Sequence, residues 1–182
     1  MRNLYRQNEV GLNIDAGRDA FPTLPGSNGS SIHLTSIDDG IFDNAMPSSF
    51  TGTQGLGGGV VAIAGLTTNA GATLSSNNAL DLHFIGTRWS GNLQDTSRRD
   101  LQVYGALAVG GGLPGINDKA RVLIRHGTSD GAPGAFQFID SEPADPSHTN
   151  SVTIIGSKNA FIHTNVGIEP PPAELFSHDG SN

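Results

Sequence analysis

Histidines and acidic clusters are the residues of this chain whose chemistry matters first. The histidines are His33, His83, His126, His148, His163 and His178. None stands in the His-x-His or His-Glu-x-x-His spacing of a metal site. Carboxylates cluster at Asp38-Asp39 and along Asp140-Ser141-Glu142 to Asp145. Two carboxylates flanking a glycosidic bond can hydrolyse it, so a polysaccharide-cutting activity is one reading of such clusters. Calcium binding is another, but neither cluster has the Asp-x-Asp-x-Asp-Gly spacing of a calcium loop. Both clusters sit among Gly, Pro and Ser, where Asp stabilises turns. The glycine runs at 55–59 and 110–112 lack the Gly-Lys-Ser/Thr ending and the following helix of a phosphate loop. Hinges or close backbone packing explain them better. Trp89, next to Arg88, reads as a sugar-stacking or interface residue, or as core. Arg88, Arg98 and Arg99 read as partners for an acidic face, or as solvated. No catalytic, cofactor-binding or metal-ligating residue is assigned from these patterns.

Composition narrows the class. The chain has 182 residues, no cysteine, 10 Lys plus Arg against 17 Asp plus Glu, and a formal net charge of −7. Without cysteine there is no disulfide framework and no thiolate metal site. The acidic balance, with Arg98-Arg99 as the largest basic cluster, argues against nucleic-acid binding. No stretch approaches the ~18 apolar residues of a membrane helix. The first residues lack the apolar core of a secretory signal. Charged residues are 15% and Gly is 25 of 182, a low-charge, glycine-rich chain that must use Ser, Thr, Asn and Gln on its polar faces.

The pattern is all-β. Alternation predicts a strand over 31–37, closed by a turn at Asp38-Asp39-Gly40. Further strands are expected over 60–66, 79–85, 101–109, 120–126, 135–139, 151–155, 160–164 and 173–176, with turn residues between them. Residues 91–100 read as a loop or single turn. Residues 1–58 are rich in breakers and poor in periodicity, so they are expected to form an extended, partner-binding N-terminal arm with Leu12, Ile14, Phe21, Ile41 and Phe42 as apolar anchors. Residues 59–182 are expected to form the oligomerising, β-rich body. So thin an apolar set favours burial of strand faces against further copies of the chain.

One internal echo is visible. Gly115-Ile116 to Gly127 and Gly167-Ile168 to Gly180 share Gly-Ile, a turn, Ala, a polar residue and two apolar residues. Two copies fall short of the three expected of a solenoid. The second of them, Asn165-Val166-Gly167-Ile168 to Pro172-Ala173-Glu174-Leu175, resembles the NVGIGTTxPxxKL corner of phage tail-fibre and related virion proteins. Leu101 to Gly111 resembles their LxVxGALxVGG repeats. Ala120 to Asp140 resembles an ARLHV…GxxGAxxFxD strand pair, and Ser157 to Thr164 an xxNxxYIxT strand. The likeness covers about residues 100–180. It departs from the family at Glu169-Pro170-Pro171 and at Glu174, and no chaperone domain is expected after Asn182.

The resemblance implies a homotrimeric, intertwined β body of β-prism or β-helix type, with Val122, Ile124, Phe161, Val166, Ile168 and Leu175 in its oligomer contacts. In such trimers axial histidines can stack and bind a metal, which would single out His126 and His163. An ordinary strand-face histidine is the plainer reading, for these as for His33 and His83. The expected function is that of a non-enzymatic bacteriophage virion protein assembled in the host cytoplasm. A capsid decoration (cement) protein, stapling major capsid protein subunits with its arm, is the first reading. A short tail fibre or tail adaptor is the second, and a polysaccharide depolymerase using Asp140, Glu142 and Asp145 the third.

Overall fold

A computed structural model describes residues 2–7, 10–18, 28–44, 58–67, 76–92, 99–108, 115–131, 134–139, 150–162, 166–169 and 176–178. The described elements are β-strands. They are β1 (Leu4–Arg6), β2 (Val10–Arg18), β3 (Ser31–Ile37), β4 (Gly40–Phe42), β5 (Gly58–Thr67), β6 (Ala79–Ile85), β7 (Arg88–Ser90) and β8 (Arg99–Ala108). They continue with β9 (Lys119–Arg125), β10 (Thr128–Asp130), β11 (Gly134–Ile139), β12 (Ser151–Ser157), β13 (Ala160–Ile162), β14 (Val166–Glu169) and β15 (Phe176–His178). All pair in parallel, in three five-stranded sheets ordered β1-β4-β7-β10-β13, β2-β5-β8-β11-β14 and β3-β6-β9-β12-β15. The chain visits the first, second and third sheet in rotation. Each triplet of strands is therefore one circuit, laid in register on the circuit before it.

The three sheets share one apolar interior. Ile41 and Trp89 enter it from the first sheet, Val60, Leu101, Val103 and Phe136 from the second, and Leu82, Phe84, Val122 and Ile154 from the third. Alternation explains the third sheet directly: β6 runs half-buried, buried, half-buried along Ala79 to Ile85. The second sheet differs. All ten residues of β5 are buried, and Val61, Ile63, Leu66 and Tyr104 form a second apolar cluster on its other face. A strand buried on both faces reads as a continuous apolar run, as Val60 to Leu66 does.

Corners are built by a repeated two-residue device. A residue in the left-handed region turns the chain, and at most corners the next residue sends a polar group inward; Gly127, after His126, is the exception. Between the third and first sheets the turning residues are Asp38, Gly86, His126 and Lys158, with φ of 53°, 66°, 53° and 54°. Lys158 there carries the cost of a side chain in a region that suits glycine. Lys158→Gly should raise stability by about 0.5–1 kcal/mol, read as a higher urea midpoint at unchanged slope.

Inward asparagines join the circuits. Asn92 accepts the Asn44 N–H at Oδ1 (3.2 Å) and donates from Nδ2 to the Ile41 carbonyl (2.8 Å). Asn150 does the same with the Asp118 N–H (2.9 Å) and the Gly115 carbonyl (2.7 Å). Asn159 does so with the Gly127 N–H (2.9 Å) and the Ile124 carbonyl (3.1 Å). Each amide thus bridges to the N–H of a corner residue one circuit back and to the carbonyl three residues upstream of it. Buried backbone groups that a bend removes from the ladder find partners this way.

Small residues make room for these side chains. A Cβ on Gly59 would overlap the Asp100 carbonyl oxygen and crowd Trp89. Close backbone packing is therefore what the glycine run ending at Gly59 provides. Gly59→Ala should cost about 1–3 kcal/mol of stability by overpacking, measured as a lower thermal midpoint.

The described part of residues 1–58 corrects the expectation of an extended arm. Its strands β1 to β4 pair with the neighbouring circuits in all three sheets. Breakers misled because corners occur every few residues in short circuits, and strands of three residues have no period to read. The internal echo is out of step with the structure too. Phe176 pairs with Ile154, which pairs with Val122, whereas the echo places Leu175 against Val122.

Candidate functional site

The outer face of the third sheet gathers the chain's chemistry. Strict alternation on β6 places Asp81 and His83 on one face. Parallel register sets His33 of β3 beside Asp81, Thr35 beside His83, and Arg121 of β9 on the far side of Asp81. Asp81 is the hub. Its Oδ2 lies 2.9 Å from His33 Nδ1, and its Oδ1 lies 3.2 Å from His83 Nε2 and 3.8 Å from Arg121 Nη1. The two imidazoles meet edge to face with centroids 5.0 Å apart. Thr35 Oγ1 approaches His33 Nε2 at 3.4 Å. One donor atom from each of His33, Asp81 and His83 falls within 4.8 Å of the others.

Two buried carboxylates belong to the interior instead. Asp100 accepts hydrogen bonds from Asn92 Nδ2 (2.8 Å) and Ser129 Oγ (2.5 Å). Burial raises its pKa to about 6, against the lowering effect of those two bonds and with a small added push from Asp130. Asp118 occupies an inward corner position where other circuits carry Asn78 and Asn150. Its Oδ1 accepts from the Asn78 N–H and Nδ2, both at 2.9 Å. Its Oδ2 has no hydrogen-bond partner. Burial raises this pKa to about 6 as well, the Asn78 bonds opposing.

Residues singled out from sequence are dispersed. Ile14 and Ile41 are 6% and 1% exposed and lie in the interior, and Leu12 packs against it half-buried. They are core residues, not free anchors, because β2 and β4 are interior-facing strands. Phe42 is half-buried, and Phe21 lies outside the described residues. Val122 and Ile124 are fully interior, which corrects their expected place in oligomer contacts. Phe161 is half-buried and meets Phe136 edge to face at 5.2 Å. Val166 and Ile168 fall in β14, and Leu175 lies outside the described residues.

Trp89 is core, 1% exposed, so it offers no sugar-stacking surface. His126 is the exposed turning residue of a third-to-first corner. His163, Asp140, Glu142 and Asp145 lie outside the described residues. Of the Asp38-Asp39 pair, Asp38 turns the chain while Asp39 is buried and accepts from the Asn3 N–H (2.7 Å) and Ser36 Oγ (2.9 Å). That pair is a corner, as its turn composition suggested.

A cleft of about 230 Å³ opens between β1 and the third-to-first corner, lined by Arg2, Leu4, Asp38, Phe42 and Arg88 among others. No helix among the described residues is long and apolar enough to cross a membrane. No protein-family model matches the chain, and neither a curated protein nor a solved structure is significantly similar to it.

Proposed function

We propose that this chain is a non-enzymatic structural component of a bacteriophage virion, a short tail-fibre segment or tail adaptor built as a three-sided parallel β-helix. The reading combines the tail-fibre-like motifs of residues 100–180 with the rotation of the chain through three parallel sheets. The observation that carries it over the decoration reading is the position of β1 to β4. Stapling a shell needs a free arm, and the anchors Ile14 and Ile41 are committed to the interior of the chain's own body.

A stacked body also suits an elongated role. β1, β2 and β3 are edge strands at one end, and β13, β14 and β15 at the other. Among the described residues these end strands pair on one side, and an unpaired parallel edge is a template for further pairing, so a tail protein or a further copy of the chain is the expected end-to-end partner. Homotrimer formation comes from the family resemblance and belongs to the proposal.

Immunogold labelling of purified virions with antibody to the full chain tests the location. Gold at the tail is the expected result. Gold over the shell would revive the decoration reading, and unlabelled virions would overturn a virion role.

A further inference from the structure

We infer that His33, Asp81 and His83 form a binding site for one divalent first-row transition-metal ion, of the zinc, nickel or cobalt class. This inference is independent of the virion reading. Two imidazoles and one carboxylate are a donor set for such ions, whereas calcium and magnesium require oxygen ligands throughout. Two ligand atoms bonded at about 2.0–2.1 Å to a tetrahedral ion stand roughly 3.3 Å apart. Asp81 already holds His33 Nδ1 at 2.9 Å and His83 Nε2 at 3.2 Å. One donor atom from each residue lies within 4.8 Å of the others, so side-chain rotations that draw them together would seat an ion among them.

A second observation points the same way. Asp81 Oδ1 and His83 Nε2 are shielded from solvent and lie 3.2 Å apart, yet neither has a hydrogen-bond partner. A cation coordinated by both would satisfy these two buried polar atoms. His33 Nδ1 donates to the Asp81 carboxylate in the metal-free chain, so that proton leaves when Nδ1 takes the ion, and Thr35 Oγ1, 3.4 Å from Nε2, is then placed to accept the Nε2–H as the outer support of a metal-bound imidazole. The site joins β3 to β6. An ion there would fasten the edge strand of the third sheet to its neighbour and leave a coordination position for water or for a side chain of a docked partner. Arg121, at 3.8 Å from Asp81 Oδ1, is the cation that an arriving ion must compete with.

The test is calorimetric titration of the tag-free, chelator-treated full chain with zinc chloride and, separately, nickel chloride. One saturable site per chain is expected, with a higher thermal midpoint in the presence of metal. His83→Ala and Asp81→Ala should each weaken binding at least 10-fold, while Arg121→Ala should tighten it. Circular dichroism and the metal-free thermal midpoint identify any variant that has failed to fold. Should Asp81→Ala fail, Asp81→Asn serves in its place. Absence of saturable zinc and nickel binding would overturn the inference. So would undiminished binding by a folded His83→Ala variant, or equal affinity for calcium.

Discussion

Trp89→Ala is expected to lower the unfolding free energy by about 3–5 kcal/mol, the range for deleting a large buried aromatic side chain. Trp89 enters the interior from the three-residue strand β7, between Ile41 of the previous circuit and Ser129 of the next. The serine is too small to fill the space, and aromatic rings from other sheets close it. Phe84 meets Trp89 at 5.5 Å and Phe136 meets it at 5.1 Å, both edge to face. Phe136 passes the contact on to Phe161 at 5.2 Å. The ring therefore ties together circuits and sheets that have no strand pairing in common. Its Nε1 has no hydrogen-bond partner, so Trp89→Phe forfeits volume but no polar contact and should cost less than half as much. Urea unfolding checks both variants. A loss under about 1 kcal/mol for the alanine variant would mean that Trp89 is not a central core residue.

The second large effect is a loss of stability as pH rises. Asp100 and Asp118 have pKa values raised from 3.8 to about 6 by burial. Between those values the folded chain keeps protons that the unfolded chain has released. Their contribution is thus fully present below about pH 4, falls through the interval, and is lost above about pH 6. Each group accounts for about 3 kcal/mol across the interval. Asp118→Asn removes its share of the loss. It also supplies the Nδ2 donor that Asn92, Asn150 and Asn159 use at their corners. The variant should match the parent near pH 4 and exceed it by about 3 kcal/mol at pH 8. Asp100→Asn should show the same trend, because its amide can still accept from Asn92 while reorienting toward the Ser129 hydroxyl. Thermal unfolding of parent and variants from pH 4 to 8 measures it. Parallel curves for parent and Asp118→Asn would show that this carboxyl is not desolvated.

Much of the strand content was legible because alternation is a local property. Ser31–Ile37 and Ala79–Ile85 match their expected bounds, since in both every second residue faces the interior. The strands Gly40–Phe42, Arg88–Ser90 and Thr128–Asp130 have three residues each. Three residues hold less than two periods, and turn residues flank them, so they vanished into apparent loop. The repeat was hidden for a different reason. Equivalent corner residues are 48, 40 and 32 positions apart, from Ser30 to Asn78 to Asp118 to Asn150. Connections of changing length erase any fixed period. What recurs, except at His126-Gly127, is a short signature, a left-handed turning residue followed by an inward Asn, Asp, Ser or Thr, just before or after a strand. The His33–Asp81–His83 site was half visible. Asp81 and His83 share a strand face by spacing alone, but bringing His33 beside them needs the 48-residue circuit. The interior places of Ile14 and Ile41 required the same knowledge, because isolated apolar residues among breakers look alike in an arm and in a short circuit.

Copy number per purified virion, by quantitative mass spectrometry against the major capsid protein, tests the proposed role most directly. The tail-fibre or adaptor reading predicts a few to a few dozen copies, in a multiple set by the three-, six- or twelve-fold symmetry of a tail axis. Hundreds of copies in an icosahedral ratio to the shell protein would contradict it and place the chain on the capsid surface.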